Sequence, residues 1–416
     1  MLNIAILGAG AVGTAAARFA ARAGHRVTVF EQFGLDHDRG SSHGPSRIIR
    51  RTYPDRLYTE LMGEAYALWD DLEVEANAEL RIRTGGIYFG PADHLHLAGT
   101  LKALEDCGVP YDVLAPAEAT ELFPAFAFKD DDCVVYQDDA GILRASECVR
   151  AQMRVTRAHG ARLCEGARVR EVRPIEGGLR VVAEDGEQGS FDRVLFAAGA
   201  WTPQLLADLG LPLRPTLQRV IYVRPASRPG PSRFALGRFP VWIDAVPAIA
   251  GHDPERAMYG FPSHPGAPGV KVALHEAGPE VDPDAPDSGG RTAWRLQDAG
   301  TEACATDAAS GAGEAEHVAA LTGYLRHRLP DLGAGQIVAR STCLYTMTPD
   351  HDFVIDRVPH LAGAWFASAC SGHGFKFSIL VGKLLVELAE AGGTGRDLAR
   401  FGASRFAVGR SSQPIR

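Results

Sequence analysis

Lysine is scarce in this chain. Lys102, Lys129, Lys271, Lys376 and Lys383 stand against 38 arginines in 416 residues. Where arginine fills almost every cationic position, a lysine set among apolar or glycine neighbours needs a local reason. Lys271 and Lys376 are so set; Lys102, Lys129 and Lys383 read as surface residues. Long hydrophobic runs are missing too: none approaches the roughly 20 apolar residues that span a bilayer, so no membrane partner is expected. The seven cysteines form no CxxC pair, which removes the usual zinc and thioredoxin-like patterns. Free thiols and no metal are the expectation. Positive charge is in deficit overall, and a net charge of −8 argues against general nucleic-acid binding. The N-terminus opens directly on a strand pattern, MLNIAILGAG, with no room for a secretory leader, and the C-terminal SSQPIR is not an SKL-type address. A cytoplasmic protein is expected.

What is present is the composition of a soluble globular chain, 46% hydrophobic and 23% charged, with length for two interleaved domains. Residues 3–7, 14–23 and 27–30 read as strand, helix and strand, with Gly24 closing the helix. That β–glycine loop–α–β unit begins a parallel sheet. Helices are expected at 58–76, 96–106, 146–160, 317–328 and 374–391. Strands are expected at 84–90, 134–143, 161–173, 179–184, 194–201, 338–346, 353–356 and 364–369, with a large antiparallel sheet over 215–275. The pattern predicts an α/β (α+β) fold, a Rossmann-type dinucleotide domain built from 1–80, 145–215 and 335–416. Into it is inserted an antiparallel-sheet substrate domain, 81–144 and 216–334. Residues 282–316, rich in Asp, Gly, Ala and Ser, read as a mobile surface insertion.

Gly8-Ala9-Gly10-Ala11-Val12-Gly13 fits GxGxxG. Gly8 permits the tight turn, Gly10 the approach of backbone to a pyrophosphate, and Gly13 close packing of helix on strand. The helix N-terminus then faces the phosphates with its partial positive charge. Glu31 ends the second strand, placed to accept from ribose hydroxyls. A carboxylate there favours a free 2′-hydroxyl, hence FAD or NAD over NADP, and the motif alone does not separate the two.

Three further segments concentrate polar groups. GSSHGPSRIIRR (40–51) carries Ser42, His43, Arg47 and Arg50. The two arginines share a face if the segment is a helical turn, and could hold a carboxylate or phosphate; otherwise the loop is merely solvated. YGFPSHPGAPGVKVALH (259–275) sets Lys271 between Val270 and Val272, so it points to the opposite face, toward solvent or a cavity; His275 shares its face. SGHGFKF (371–377) surrounds His373 with Gly372 and Gly374 and sets Lys376 between phenylalanines, facing an anion, a flavin carbonyl or a substrate carboxylate, or else snorkelling from a helix start.

Together with AAGAW (197–201) and CLYTMTPDHDFVIDR (343–357), these segments in this order resemble the monomeric sarcosine oxidase family of flavin amine oxidases. The sarcosine/L-pipecolate oxidases are the nearest group by motif and N-methyltryptophan oxidase is further off. The resemblance covers nearly the whole chain. It implies a D-amino-acid-oxidase-like fold and FAD held covalently by a thioether from Cys343 to the flavin 8α-methyl group. It implies a carboxylate pair in Arg50 and Lys376, a substrate pocket lined by Tyr259, Tyr345 and His275, Arg47 and His43 near the flavin ring, and Lys271 promoting reaction with oxygen. The catalytic set is then Lys271, His275, Arg47 and Tyr345. The cofactor set is Gly8, Gly10, Val12, Gly13, Glu31, Ser42, His43, Arg47, Cys343, Gly372, Gly374 and Lys376. The implied reaction is oxidation of a secondary-amine amino acid to an imine, with O2 reduced to H2O2, by a monomer whose partners are its small-molecule substrate and oxygen. The alternative is a same-fold dehydrogenase that passes electrons to a quinone or protein.

Overall fold

The computed structural model describes residues 1–246, 257–285 and 311–406. Two large sheets organise the chain. The first has six strands in the order Val354–Arg357, Ala364–Ser368, Arg193–Phe196, Asn3–Leu7, Arg26–Glu31 and Arg162–Glu165. All neighbours run parallel except the Val354–Arg357 edge. A strand buried on both faces reads as a continuous apolar run, which is why NIAIL and RVLF stand out in the sequence. The helix Ala11–Arg22 crosses this sheet, its Ala15, Ala16 and Ala17 fully buried. The helix Ser378–Ala391 packs against it in the same core.

The second sheet has eight strands: Gln336–Met347, Arg214–Arg224, Val270–His275, Ala257–Phe261, Val241–Asp244, Gly86–Pro91, Asp132–Gln137 and Asp112–Leu114. Within 215–275 the strands pair antiparallel, as expected. The sheet is larger than that span: Val241–Asp244 pairs parallel with Gly86–Pro91, so strands early in the chain extend it. A correction concerns Gln336–Met347, expected in the dinucleotide unit. It pairs along its whole length with Arg214–Arg224. One face of this sheet (Trp242, Met258, Val270, Val272) is sealed by Leu321 and Leu325 of the helix Gly311–Arg328.

Other boundaries moved by less. The helix expected from 374 is a short 3-10 turn, Phe375–Phe377, followed by the α-helix from Ser378. The helix expected at 317 begins at Gly311, which removes 311–316 from the expected insertion. At the other end, Asp284 accepts from Trp201 Nε1 at 2.9 Å and pairs with Arg168, so the segment's start is tied down. Residues 286–310 lie outside the described residues. The basic loop is not a helical turn: Arg47–Ile49 is a strand paired with Gly141–Leu143. No helix among the described residues is long and apolar enough to cross a membrane.

Candidate functional site

A single cavity of about 690 Å³ runs from the glycine turn to Lys376, touching both sheets. At its first end the walls are backbone. Gly8 has φ +105°, and a Cβ there would lie 2.5 Å from the Ala197 carbonyl oxygen. A Cβ on Gly13 would lie 1.9 Å from the Gly8 carbonyl oxygen. Gly13 therefore packs helix on turn, outside the cavity, whereas Gly8, Gly10 and Val12 line it. Ser42 Oγ accepts from the Ala11 N–H at 3.0 Å, satisfying a donor of the helix's first turn. Glu31, 3% exposed, accepts from the Ala9 and Phe33 N–H groups at 2.8 and 2.9 Å. Each carboxylate oxygen keeps a lone pair for a further donor such as a hydroxyl.

The floor at the other end is one face of the eight-stranded sheet. Side chains alternate along a strand, and direct cross-strand partners share a face. The register aligns Tyr88 with Ile243, Ile243 with Tyr259, Ala257 with His275 and Phe261 with Lys271. On the flanking strands it aligns Lys271 with Tyr222, Gln218 with Cys343 and Thr216 with Tyr345. Lys271, His275, Cys343, Tyr345 and Tyr259 therefore all rise from the same face, and all line the cavity. Of the two directions open to Lys271, the cavity is the one taken. Its neighbours Val270 and Val272 point into the helix-sealed core.

Lys271 is 5% exposed, 4.8 Å from the Phe261 ring centroid, and donates to the Ser46 carbonyl at 3.3 Å. Burial, then the charge of Arg47, brings its ammonium down to about 7. Arg47 donates to the carbonyls of Ser41 and Ser46. His275 is driven down to about 4, mainly by burial. Tyr345 and Tyr259 are hydrogen-bonded through their hydroxyls, and burial pushes Tyr259 up to about 12. Cys370, also on the wall, has its thiol pushed up to about 11 by burial and stays protonated. Cys343 lies on the same wall, within electrostatic reach of Lys271.

Opposite the floor lie Arg50 and Lys376. The Arg50 guanidinium sits 4.2 Å from the Tyr53 ring centroid and 5.7 Å from that of Tyr88. Lys376, 5% exposed, donates to the Tyr53 hydroxyl at 2.7 Å and the His373 carbonyl at 2.8 Å. Burial, with Arg50 next, holds its ammonium well below the usual lysine value. Gly372 and Gly374 complete the wall. A Cβ on Gly372 would fall 2.3 Å from His275 and 2.7 Å from Tyr345, and one on Gly374 would fall 1.4 Å from the Ala369 carbonyl oxygen.

Of the expected site residues, Gly13 and His43 do not line the cavity. His43 is buried, with Arg47 close by. Burial and the neighbouring Arg47 hold it at about 3, so it is neutral. Tyr53 and Tyr88 line the cavity and were not expected there. Tyr53 follows three residues after Arg50, next to the basic loop, and that proximity was a usable signal. Tyr88 sits in an ordinary strand pattern that gives none. The cations gathered here, Arg47, Arg50, Lys271 and Lys376, face neutral histidines, so the chamber calls for anionic ligands. Backbone cradles that a Cβ would fill, a buried carboxylate and a long channel fit a dinucleotide.

Comparison with known proteins bears on which dinucleotide. The FAD dependent oxidoreductase family model matches residues 3–388. The monomeric sarcosine oxidase of Streptomyces avermitilis is 31% identical over 98% of this chain and 98% of its own. The human peroxisomal sarcosine oxidase is 32% identical, covering 96% and 95%. Among solved structures, NikD, described as an unusual amino acid oxidase, superposes with a TM-score of 0.77 at 25% identity, covering 96% and 97%. L-proline dehydrogenase from P. horikoshii, at 22% identity over 97% of each chain and a TM-score of 0.75, shares the fold.

Proposed function

This chain belongs to the FAD dependent oxidoreductase family and, within it, to the monomeric sarcosine oxidases; from that premise we propose that this flavin amine oxidoreductase oxidises a secondary-amine amino acid, such as sarcosine or L-pipecolate, to an imine and reduces O2 to H2O2. Bound in the cavity, FAD would supply the redox chemistry, a two-electron acceptor for the hydrogen lost from carbon as CH–NH becomes C=N, with the nitrogen hydrogen leaving as a proton, and a two-electron donor to O2. The protein's own groups hold, orient and exclude water.

The observation that carries the reading is the meeting of Arg50 and Lys376 at Tyr53, across the cavity from Lys271 and Cys343. An amino-acid carboxylate satisfies both cations. Arg50 offers a planar fork, and Lys376 a point charge whose burial is compensated only when an anion is present. Tyr259, Tyr345 and His275, all uncharged, then enclose the amine side without competing for the carboxylate. Glu31 and Ser42 suit the ribose and pyrophosphate. Cys343 is the attachment point for a covalent flavin. Lys271 supplies the cation that stabilises negative charge developing on oxygen, which favours oxygen over a quinone or protein as acceptor. We assign the protein no nucleic-acid or membrane partner, and a monomeric, cytoplasmic state.

A peroxide-coupled assay across sarcosine, larger N-methyl amino acids, L-pipecolate and L-proline tests this, run beside anaerobic dye reduction. Peroxide release with at least one of these substrates is expected. Rapid dye reduction without peroxide would reject oxygen as acceptor. No turnover with any of them would reject the substrate class.

A further inference from the structure

We infer that Tyr53 is the positioning residue of the carboxylate pair, one side chain that fixes both cations: its hydroxyl orients the Lys376 ammonium and its ring face carries the Arg50 guanidinium. The inference rests on the reading of Arg50 and Lys376 as the pair that binds a substrate carboxylate.

The hydrogen-bond chain around Tyr53 has a definite direction. Lys376 has three N–H donors and no acceptor. Two are taken, by the Tyr53 hydroxyl at 2.7 Å and the His373 carbonyl at 2.8 Å. That leaves the third for a ligand in the cavity. Since Lys376 donates to the Tyr53 oxygen, the phenolic hydrogen is free to donate onward. Its neighbour is His373 Nδ1, at 3.4 Å. His373 is half-buried on the cavity wall, and burial, with Lys376 next, holds it neutral. Its Nε2 lies 3.2 Å from the His351 carbonyl, which can only accept. Nε2 therefore carries the proton and Nδ1 is the acceptor. The order is Lys376 N–H to Tyr53 O–H to His373 Nδ1, with Nε2–H closing on His351. Tyr53 is 5% exposed, and burial raises its hydroxyl to about 12, so it stays a neutral link.

The ring completes the device. Among the described residues Arg50 donates to Thr52 Oγ1 at 3.3 Å, and it lies 4.2 Å from the Tyr53 centroid. Stacking holds the guanidinium plane through its face and spends none of its edge donors, which remain for a carboxylate. Tyr53 is itself packed against Tyr58 and Phe377 at 5.5 and 5.6 Å, so its orientation is set by the core. A lysine and an arginine with like charge are thereby kept apart from each other and ready for one anion.

Tyr53→Phe and Tyr53→Leu separate the two parts. Propionate, a carboxylate without an amine, is titrated calorimetrically into the FAD-loaded protein and both variants, with Lys376→Met as reference. Losing the hydroxyl should weaken propionate about 10-fold, and losing hydroxyl and ring about 100-fold, from the usual worth of a hydrogen bond to a charged group and of a cation–π contact. In turnover, Tyr53→Phe should raise KM by a similar factor with kcat within about twofold and flavin content unchanged. If Lys376→Met weakens propionate but Tyr53→Phe does not, the role given to Tyr53 is wrong. If neither variant matters, the carboxylate pair itself is wrong.

Discussion

At the dinucleotide end of the cavity the walls are backbone, and at the sheet end they are side chains. Gly8, Gly10 and Gly13 matter for what they lack, since a Cβ on Gly8 or Gly13 would overlap a carbonyl oxygen. Tyr259, Lys271, His275, Cys343 and Tyr345 matter for what they project, each from an alternate position on one sheet face. The first end recognises a shape shared by many dinucleotides. The second sets the chemistry through where it puts charge. Damage should differ accordingly: lost binding at one end, altered rates with binding intact at the other.

The sharpest break is Gly13→Val. With the Gly8 carbonyl oxygen 1.9 Å from even a Cβ, the helix and turn must separate, and no flavin should copurify. A yellow protein with normal flavin content would show that the cradle is more forgiving than its geometry. At the sheet end, Cys343→Ala should bind FAD yet release all of it on acid precipitation, whereas the native protein retains it. Acid-extractable flavin in the native protein would remove the covalent link.

Lys271→Met should slow reoxidation by air about 10²-fold, in line with removing one electrostatic stabiliser from a dry site, while anaerobic reduction by substrate changes little. Its pH dependence follows from the depressed ammonium. The group is cationic below about 7 and neutral above, and an anion beside it moves that midpoint upward. Reoxidation of the native protein should therefore fall as the solution turns alkaline, and the Lys271→Met profile should be flat. Parallel profiles would assign the titration to another group. The mildest change is Lys376→Ala, which should raise KM for carboxylate-bearing amines roughly 30-fold, a loss of about 2 kcal/mol, with FAD retained. Loss of FAD instead would make Lys376 a cofactor ligand first.

The same contrast explains what could be read from the sequence. The cradle is local: strand, glycines, helix, strand and Glu31 follow within the first 31 residues, and each glycine has its own steric reason. The parallel sheet could be read for a similar reason, through strands written as unbroken apolar runs. The floor could not be assembled from any one segment. Lys271 announced only that it opposed Val270 and Val272. Which face was wet depended on the helix Gly311–Arg328, far along the chain, sealing the valine side. Tyr88 reaches the floor through a parallel pairing of Gly86–Pro91 with Val241–Asp244, a long-range register that alternation cannot reveal. His43 gives no such signal either way: a histidine in a Gly/Ser loop beside two arginines resembles a ligand, yet it is buried and off the cavity wall.

One anaerobic experiment joins the two ends. The purified protein is mixed without oxygen with an excess of the best secondary-amine amino acid from the peroxide screen, the flavin absorbance is followed, and the amine is removed before air is admitted. The account predicts that the absorbance bleaches, then returns with one H2O2 released per flavin. Failure to bleach with every such amine, or bleaching that air does not reverse, would contradict it.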